Sequence, residues 1–186
     1  MQPDVLAGVG TLFPARFGTV SAFGSGGFGF DGPFRRLRHR ARIKWTNDIY
    51  AGDRKLVGIL IEHNLTGDRL SRTIVGIGVN VNQTRFDPSL PNPSSMHLET
   101  GCEYDRQEVL HRLGDCLAAR YEQLEKGDRE ALQADYRRRM YRLGERHRYR
   151  YPDGRTVEAV LRGVRLRESC CWSCPTAVPK GICSGR

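Results

Sequence analysis

The chain contains Lys55-Leu-Val-Gly-Ile-Leu-Ile-Glu62 and, further on, Thr73-Ile-Val-Gly-Ile-Gly-Val-Asn-Val-Asn82. Both segments are apolar and rich in β-branched residues, and Thr66-Gly67-Asp68 supplies turn residues between them. Short apolar runs bounded by turn residues are typical of buried strands. The two segments therefore predict an antiparallel pair of strands.

Two helical patterns follow this pair. Asp105, with Glu108 three residues on, resembles a capping box, and Asp128 is placed to cap a second helix. Gly127 and Gly144 end the two patterns. The apolar stripes, at helical spacing, are Leu110, Leu113, Leu117, Tyr121 and Leu124 in the first, then Leu132, Tyr136, Met140 and Leu143 in the second.

Three shorter segments complete the expected order. Residues 43–46 alternate as a short strand should, and Asn47-Asp48 is placed to end it. The Pro- and Asn-rich stretch 83–98 predicts a surface loop, and Pro152-Asp153-Gly154 predicts a hairpin. The chain as a whole is predicted to be α+β, with a mixed or antiparallel sheet and packed helices.

Three regions differ in texture. Residues 1–40 are rich in Gly, Phe and Arg, sustain neither the helical nor the strand period, and are expected to be irregular. Residues 41–144 carry the strand and helix patterns. Residues 145–186 open a second β unit whose pattern dissolves after Val164 into a Cys-rich tail.

Composition excludes few classes of protein. The formal net charge is +9, but many of the Arg residues stand among acids on predicted helical faces, which favours solvated surfaces over nucleic-acid binding. No apolar run approaches the roughly 20 residues of a membrane span, and the N-terminus lacks a basic segment before an apolar one. A cytoplasmic location is expected.

The cysteines cluster at the end of the chain. Cys170, Cys171, Cys174 and Cys183 include one C-x-x-C, but no second pair of Cys or His stands at the spacing of a zinc site. No metal-binding residues are predicted there.

Three segments stand in the order and spacing of a known family. They are Lys44-Trp-Thr-Asn-Asp48, Arg54-Lys-Leu-Val-Gly-Ile-Leu-Ile-Glu62 and Val75-Gly-Ile-Gly-Val-Asn80. They resemble the motifs K-W-P-N-D, R-K-L/V-A/V/C-G-I/V-L-I/V-E and I/V-G-I/A-G-I/V-N of the biotin protein ligases, with Thr46 in place of the proline. Glycines within apolar strands are common, so the weight lies in finding all three together.

The resemblance implies an enzyme that activates biotin with ATP, as biotinyl-5′-AMP, and transfers it to a lysine of a carrier protein. The usual recipient in the family is the biotin carboxyl carrier protein of acetyl-CoA carboxylase. The resemblance also implies Mg²⁺, a class II synthetase-like catalytic domain and, at the C-terminus, a small β-barrel that is incomplete in this chain. Exposed β edges would favour a homodimer.

The charged and amide side chains of the motifs receive roles from this resemblance. Lys55 is the catalytic candidate, because a fixed cation must lie between a carboxylate and the α-phosphate of ATP when they react. Asn47 and Asn80 would face the adenosine, Asp48 would organise the metal and nearby charges, and Lys44 would orient phosphates or pair with Asp48. The alternatives are an exposed lysine at a strand start and ordinary turn residues.

The glycine segments would form the floor of the ligand site. Gly58, with Ile59, would lend backbone groups to biotin, and Gly76 and Gly78 would lie under the ligand. Glycine in a strand is costly unless something approaches the backbone closely. A β-bulge or tight sheet packing is the alternative explanation.

The N-terminal region departs from the family. Residues 1–40 hold no counterpart of the family's Arg/Gly-rich loop, which covers the acyl-adenylate, so impaired activity is expected. The composition of both ends also favours the hypothesis that they are translated in a shifted reading frame. If neither other frame encodes such a loop or a downstream strand pattern, that hypothesis fails.

Other functions remain open from sequence. One is a non-catalytic remnant that binds biotin or nucleotide weakly, and biotin-dependent pyrophosphate exchange separates it from an enzyme. A lipoate ligase-like enzyme is the nearest rival because it shares the adenylation chemistry, although the second and third motifs favour biotin. A nucleic-acid-binding module would require an affinity that falls steeply with salt.

Overall fold

A computed structural model describes residues 5–6, 37, 40–45, 47–66, 69–150, 153–165 and 169–173 of the chain. The strands are β1 (Val5–Leu6), β2 (Ala41–Lys44), β3 (Asp48–Ala51), β4 (Arg54–Thr66), β5 (Arg69–Val79), β6 (Arg146–Arg150), β7 (Thr156–Arg165) and β8 (Ser169–Ser173). The helices are α1 (Met96–Thr100), α2 (Arg106–Glu125) and α3 (Arg129–Arg138). Two antiparallel sheets, in the orders β1-β5-β4-β3-β2 and β6-β7-β8, pack with these helices in an α+β fold, as predicted.

The central hairpin of β4 and β5 is the pair that the two apolar segments predict. Ile59 pairs with Ile77 and Val57 with Val79, and all four side chains are buried. Since side chains alternate across a strand, the residues between them face the other side of the sheet. Burying each such side chain stabilises the fold by roughly 1.5–3 kcal/mol, which fixes the register of the pair.

The first strand pattern is shorter than predicted, and a second strand follows it directly. β2 ends at Lys44, and Asn47-Asp48, expected to end a strand, instead leads into β3. The next turn passes through Gly52, whose φ of +61° suits glycine. The outer edge of β2 is not open, because Ile43 exchanges backbone hydrogen bonds with Arg139 and Tyr141. This edge of the five-stranded sheet is therefore covered at Ile43.

The first long helix follows the prediction closely. Asp105 caps α2 by accepting a hydrogen bond from the backbone N–H of Gln107, and Leu113 lies buried on its core side. The second helix is shorter than its stripe, because α3 ends at Arg138 and Met140 continues as the segment that pairs with β2. A positive φ at Arg142 marks the break from the helical path.

The stretch 83–98 is only partly the surface loop that its composition predicts. Ser94, Ser95 and Met96 are fully buried, and Ser95 caps the short helix α1. Asn82 binds both the backbone N–H and the carbonyl of Tyr104, which closes this segment against the start of α2. The part from Ser94 to Met96 therefore belongs to the interior beside β4, whereas residues 87–91 are exposed, as the prediction of a surface loop has it.

Gly114 allows a test of whether this face of α2 is free of close packing. It lies inside the helix, and a Cβ placed there would meet nothing within 4 Å. Glycine costs a helix about 1 kcal/mol relative to alanine. Gly114→Ala is therefore expected to raise the free energy of unfolding by roughly 0.5–1 kcal/mol, measured by urea denaturation. A lower stability would mean that other atoms lie closer to this face of α2 than the 4 Å of free space around Gly114 allows.

The second β unit extends further than predicted. β6 and β7 form the expected hairpin, and β8 adds a third strand although the strand pattern dissolves after Val164. Cys170 and Cys171 lie in β8, whereas Cys174 and Cys183 fall outside the described residues. Leu161 joins this unit to the main core. Most of residues 1–40, which were predicted to be irregular, fall outside the described residues. Val5–Leu6, which is described, pairs with β5 as a strand.

None of the described helices is long and apolar enough to cross a membrane.

Candidate functional site

One face of the central sheet brings several predicted site residues together. Asp48, Gly58 and Gly78 are paired neighbours across β3, β4 and β5, so they lie on the same face. The Nζ of Lys55 lies 2.8 Å from Oδ1 of Asp48, and both side chains keep partial contact with solvent, at 42% and 31% exposure. We call the set on this side the glycine face: Asp48, Lys55, Gly58, Leu60, Ile74, Gly76 and Gly78.

A β-bulge puts Lys55 on this face. Ile49 pairs with Val57, but the next residue, Tyr50, pairs with Lys55, so β4 holds one extra residue opposite β3. An extra residue shifts the alternation of side chains by one position. Lys55 and Gly58, three residues apart, consequently point to the same side.

The three glycines leave room above the sheet. A Cβ on Gly58 would lie 3.5 Å from Cε and Nζ of Lys55 and 3.9 Å from Oδ1 of Asp48. None of Gly58, Gly76 and Gly78 has a positive φ, so their backbones would accept other residues. These glycines therefore keep side chains off this face of the sheet without any need for a glycine conformation, and Gly58 does so beside the ammonium.

Apolar side chains border the glycines. Leu60, which pairs with Gly76, is 63% exposed, and Ile74 is 38% exposed. Exposed large apolar residues next to a charged pair are typical of a ligand site with an apolar and an anionic part. The glycine face therefore suits a ligand that joins an apolar body to a carboxylate or phosphate.

Lys44 was predicted either to orient phosphates or to pair with Asp48. Its Nζ donates a hydrogen bond to the hydroxyl of Tyr50 at 3.0 Å and lies 4.6 Å from the centre of that ring. Asp48 is bound by Lys55, and the phosphate role stays a prediction. Tyr50 thus holds Lys44 beside the glycine face.

The remaining predicted residues support the site through the backbone. The N–H of Ile59 donates to the carbonyl of Asn47, and the Ile59 side chain lies in the core. Asn80 donates from Nδ2 to the carbonyl of Ser94, and its own carbonyl accepts from Met96. Asn80 therefore fixes the segment beside β4.

That segment holds the backbone of Lys55 on both sides. The N–H of Lys55 donates to the carbonyl of Asn92 at 2.7 Å, and its carbonyl accepts from the N–H of Ser94 at 2.8 Å. The neighbouring Arg54 lies 2.8 Å from Glu99. Sequence reasoning missed Asn92, Ser94 and Glu99, because their partners lie about 40 residues away and no local pattern marks such contacts.

Asp53, just before β4, ties the start of the strand to the segment after α3. Its Oδ1 accepts hydrogen bonds from the hydroxyl of Tyr141 and from Nη2 of Arg142. These contacts, the Tyr141 hydroxyl foremost and Arg142 next, lower the pKa of Asp53. Burial, followed by the Asp53 hydrogen bond, raises the pKa of Tyr141.

Asp53→Asn is expected to show a stability loss that depends on pH. Because the folded pKa lies below the ordinary 3.8, the carboxylate stabilises the fold above that pH and the effect disappears as the pH falls through the lowered pKa. The side chain is largely exposed, so the loss at pH 7 should be below about 1 kcal/mol. Urea denaturation of both proteins at pH 7 and at steps below pH 4 measures it. A difference that stays constant across this range would contradict the role of the ionised carboxylate.

A groove lies elsewhere in the fold. A groove of about 660 Å³ runs beside the β3–β4 turn, and its lining includes Arg40, Arg42, Arg138 and Arg142. It contains no residue of the glycine face. Arg40, Arg138 and Arg142 pair with acidic side chains of the protein itself, so the groove is a weaker candidate for an anion than its arginine content suggests.

A metal site made of protein ligands is not found in the described part of the chain, which holds no group of three or more His, Cys, Asp or Glu side chains placed to bind an ion.

Known proteins resemble this chain both in sequence and in fold. Residues 35–80 match the Biotin/lipoate A/B protein ligase family. The chain is 39% identical over 82 residues to the bifunctional ligase/repressor BirA of Bacillus spizizenii, covering 42% of this chain and 25% of that protein. It is 33% identical over 118 residues to the biotin–acetyl-CoA-carboxylase ligase of Paracoccus denitrificans, covering 61% of this chain and 48% of that protein.

The fold is similar to that of biotin protein ligase from Aquifex aeolicus, with a TM-score of 0.68 and 21% identity, covering 94% of this chain and 76% of that one. The chain spans between a quarter and a half of the length of the two curated relatives. The Arg54–Glu62 segment and the first and third motifs up to Asn80 fall within the matched residues 35–80. Residues 35–80 are thus similar to the Biotin/lipoate A/B protein ligase family, and the proteins that the chain resembles in sequence and in fold include biotin ligases.

Proposed function

We propose that this chain activates biotin with ATP to form biotinyl-5′-AMP and transfers the biotin to a lysine of a carrier protein. The observation that carries the proposal is the Lys55 ammonium, held by Asp48 above the open backbone of Gly58. The relatives named as biotin ligases support the choice of biotin as the acid. The apolar part of biotin would lie against Leu60 and Gly76, with its carboxylate at Lys55.

The chemistry needs a cation where the two anions meet. A carboxylate oxygen of biotin attacks the α-phosphorus of ATP, the new P–O bond forms, and the bond to the β-phosphate breaks with release of pyrophosphate. In the second step the carrier's lysine amine attacks the activated carbonyl, AMP leaves, and the amine loses a proton. Lys55 would offset the negative charge shared by the carboxylate and the phosphate in the first step. No protein nucleophile is needed.

The nucleotide end of the ligand would lie toward β3. Lys44 and Asn47 both precede Asp48 in the chain and would face phosphates and adenosine. Asn80 would act through the segment that it fixes. Mg²⁺ carried on ATP phosphates commonly takes only one or two protein carboxylates, and the half-exposed carboxylate of Asp48 fits that need. Asp48 would hold the ion, which would supply further positive charge to the phosphates.

Exchange of pyrophosphate into ATP tests the first step. Labelled pyrophosphate should enter ATP when biotin is added to the full chain, and not without it. Lipoate in place of biotin serves as the specificity control, because lipoate ligases share the family. Exchange with lipoate alone would reassign the substrate, and no exchange with either acid by folded protein would refute the proposal in favour of a non-catalytic remnant.

The rest of the assignment is proposed on the same footing. The biotin carboxyl carrier protein of acetyl-CoA carboxylase is the proposed recipient, the cytoplasm the proposed location, and a homodimer the proposed assembly. The division into residues 1–40, 41–144 and 145–186 is proposed as well. Transfer of biotin to a purified carrier domain and sedimentation of the full chain test the recipient and the assembly.

A further inference from the structure

A fully buried carboxylate lies close to the start of β4. The side chain of Glu99, in helix α1, has 0% exposure and binds two arginines. Arg54 Nη2 lies 2.8 Å from Oε1, and Arg40 Nη1 lies 3.1 Å from Oε2 without a well-aligned hydrogen bond. The hydroxyl of Ser94 donates to Oε1 at 2.6 Å. None of these contacts belongs to the glycine face itself.

Two of these partners lead directly to Lys55. Arg54 precedes Lys55 in the chain, and Ser94 donates its backbone N–H to the Lys55 carbonyl at 2.8 Å. Glu99 therefore holds the residue before Lys55 and the residue that binds its carbonyl. A shift at Glu99 would reach the ammonium through both.

We infer that Glu99 is a positioning residue for Lys55, acting through Arg54 and Ser94. The inference rests on the proposed role of Lys55. Burying a carboxylate is costly even when it is paired, and apolar replacements of buried ion pairs are often as stable. A contribution to stability alone therefore does not explain why this buried cluster is charged. Placing the Lys55 ammonium accurately between two anions, in contrast, requires rigid support.

A second buried carboxylate provides a matched control. Asp135, in α3, has a side chain only 10% exposed and is paired with Arg120 at 2.8 Å, with Arg138 and, at 4.0 Å, with Arg139. Arg120 and Arg138 belong to α2 and α3, Arg139 directly follows α3, and none of the three belongs to β4. Loss of its charge should cost stability as loss of Glu99 does, without a route to Lys55 through Arg54 or Ser94.

The test compares Glu99→Gln with Asp135→Asn in the full chain. Each change keeps the shape of the side chain and removes its charge. Four quantities are measured. They are the free energy of unfolding in urea, kcat and KM for biotin in pyrophosphate exchange, and the rate at which trace acetic anhydride modifies Lys55 relative to Lys126. Lys126 is an internal reference because its side chain is 75% exposed.

Both variants should lose stability, but only Glu99→Gln should affect Lys55. We expect its kcat to fall about tenfold or more with KM for biotin little changed, since misplaced groups lose transition-state contacts first. Release of Lys55 from Asp48 should raise the modification rate of Lys55 relative to Lys126 about threefold, which corresponds to the free energy of a partly exposed ion pair. Ser94→Ala, which removes one of the two links, should move both quantities in the same direction by less, and it serves if Glu99→Gln does not fold.

The inference would be overturned if Glu99→Gln and Asp135→Asn changed kcat and Lys55 modification equally. It would also be overturned if Lys55 modification stayed unchanged in both Glu99→Gln and Ser94→Ala. The modification rate needs no activity. If the wild-type protein shows no biotin-dependent exchange, the proposed function fails, and the labelling of Lys55 still decides whether Glu99 positions it.

Discussion

Replacing Lys55 by alanine is expected to reduce biotin-dependent pyrophosphate exchange by at least about 10²–10³-fold, the usual cost of removing one electrostatic contact to a developing charge. The ammonium is placed beside Gly58, where the carboxylate and the α-phosphate would meet. Without it, Asp48 would also lose its ion-pair partner at that point. The loss should appear in kcat, with a smaller change in KM for ATP.

The fold should survive this change. Lys55 and Asp48 form a partly exposed ion pair, and such pairs contribute up to about 1 kcal/mol. Lys126→Ala, which removes an exposed ion pair with Glu122 on α2, is the matched control and should leave exchange unchanged. Exchange at the wild-type rate in Lys55→Ala would remove Lys55 from the mechanism and with it the basis of the proposed function.

The sequence predicted well those strands and helices whose burial follows a local pattern of apolar and polar residues. In β4 and β5, the buried Val57 and Ile77 lie within the two apolar runs that predicted the strands. In α2, the cap at Asp105 and the buried Leu113 follow the helical period. These signals are local, so they can be read without knowing the rest of the fold.

The errors arose where distant segments decide the structure. β3 was missed because Asn47-Asp48 reads as a turn, although pairing with Gly58 makes Asp48 a strand residue. Met140 carries a helical pattern, but a parallel bridge to Ile43 draws it out of the helix. In both cases tertiary pairing outweighs local propensity.

The candidate site residues came from the family motifs rather than from local pattern, and their roles stay predictions. Those motifs pointed to Lys55, Asp48 and Gly58, which the structure places together. The bulge that turns Lys55 to this face leaves no mark in the sequence, since it depends on how β3 pairs. Glu99 was missed for the same reason, because it reads as an ordinary acid in a short helix.

Filling the space above Gly58 is expected to have the second large effect. A Cβ would fit there at ordinary contact distance, 3.5 Å from Lys55 Cε and Nζ, so Gly58→Ala should fold normally and bind biotin less well. Gly58→Val would add two methyl groups in the place proposed for the ligand carboxylate. We expect a loss of kcat/KM for biotin of roughly 10²-fold, the scale on which misplacement by about 1 Å reduces catalysis.

The neighbouring residue separates this effect from damage to the sheet. Val57 points to the core and is 1% exposed, so Val57→Ala should cost about 2 kcal/mol of stability from lost burial and the cavity left behind, with KM for biotin unchanged in the folded protein. Gly58→Val should do the reverse, since β-branched residues suit strands. Substitutions on the core face of β4 would then affect stability, and substitutions on its glycine face would affect binding. Normal exchange kinetics in Gly58→Val would mean that the ligand does not approach this strand, whatever Lys55 contributes.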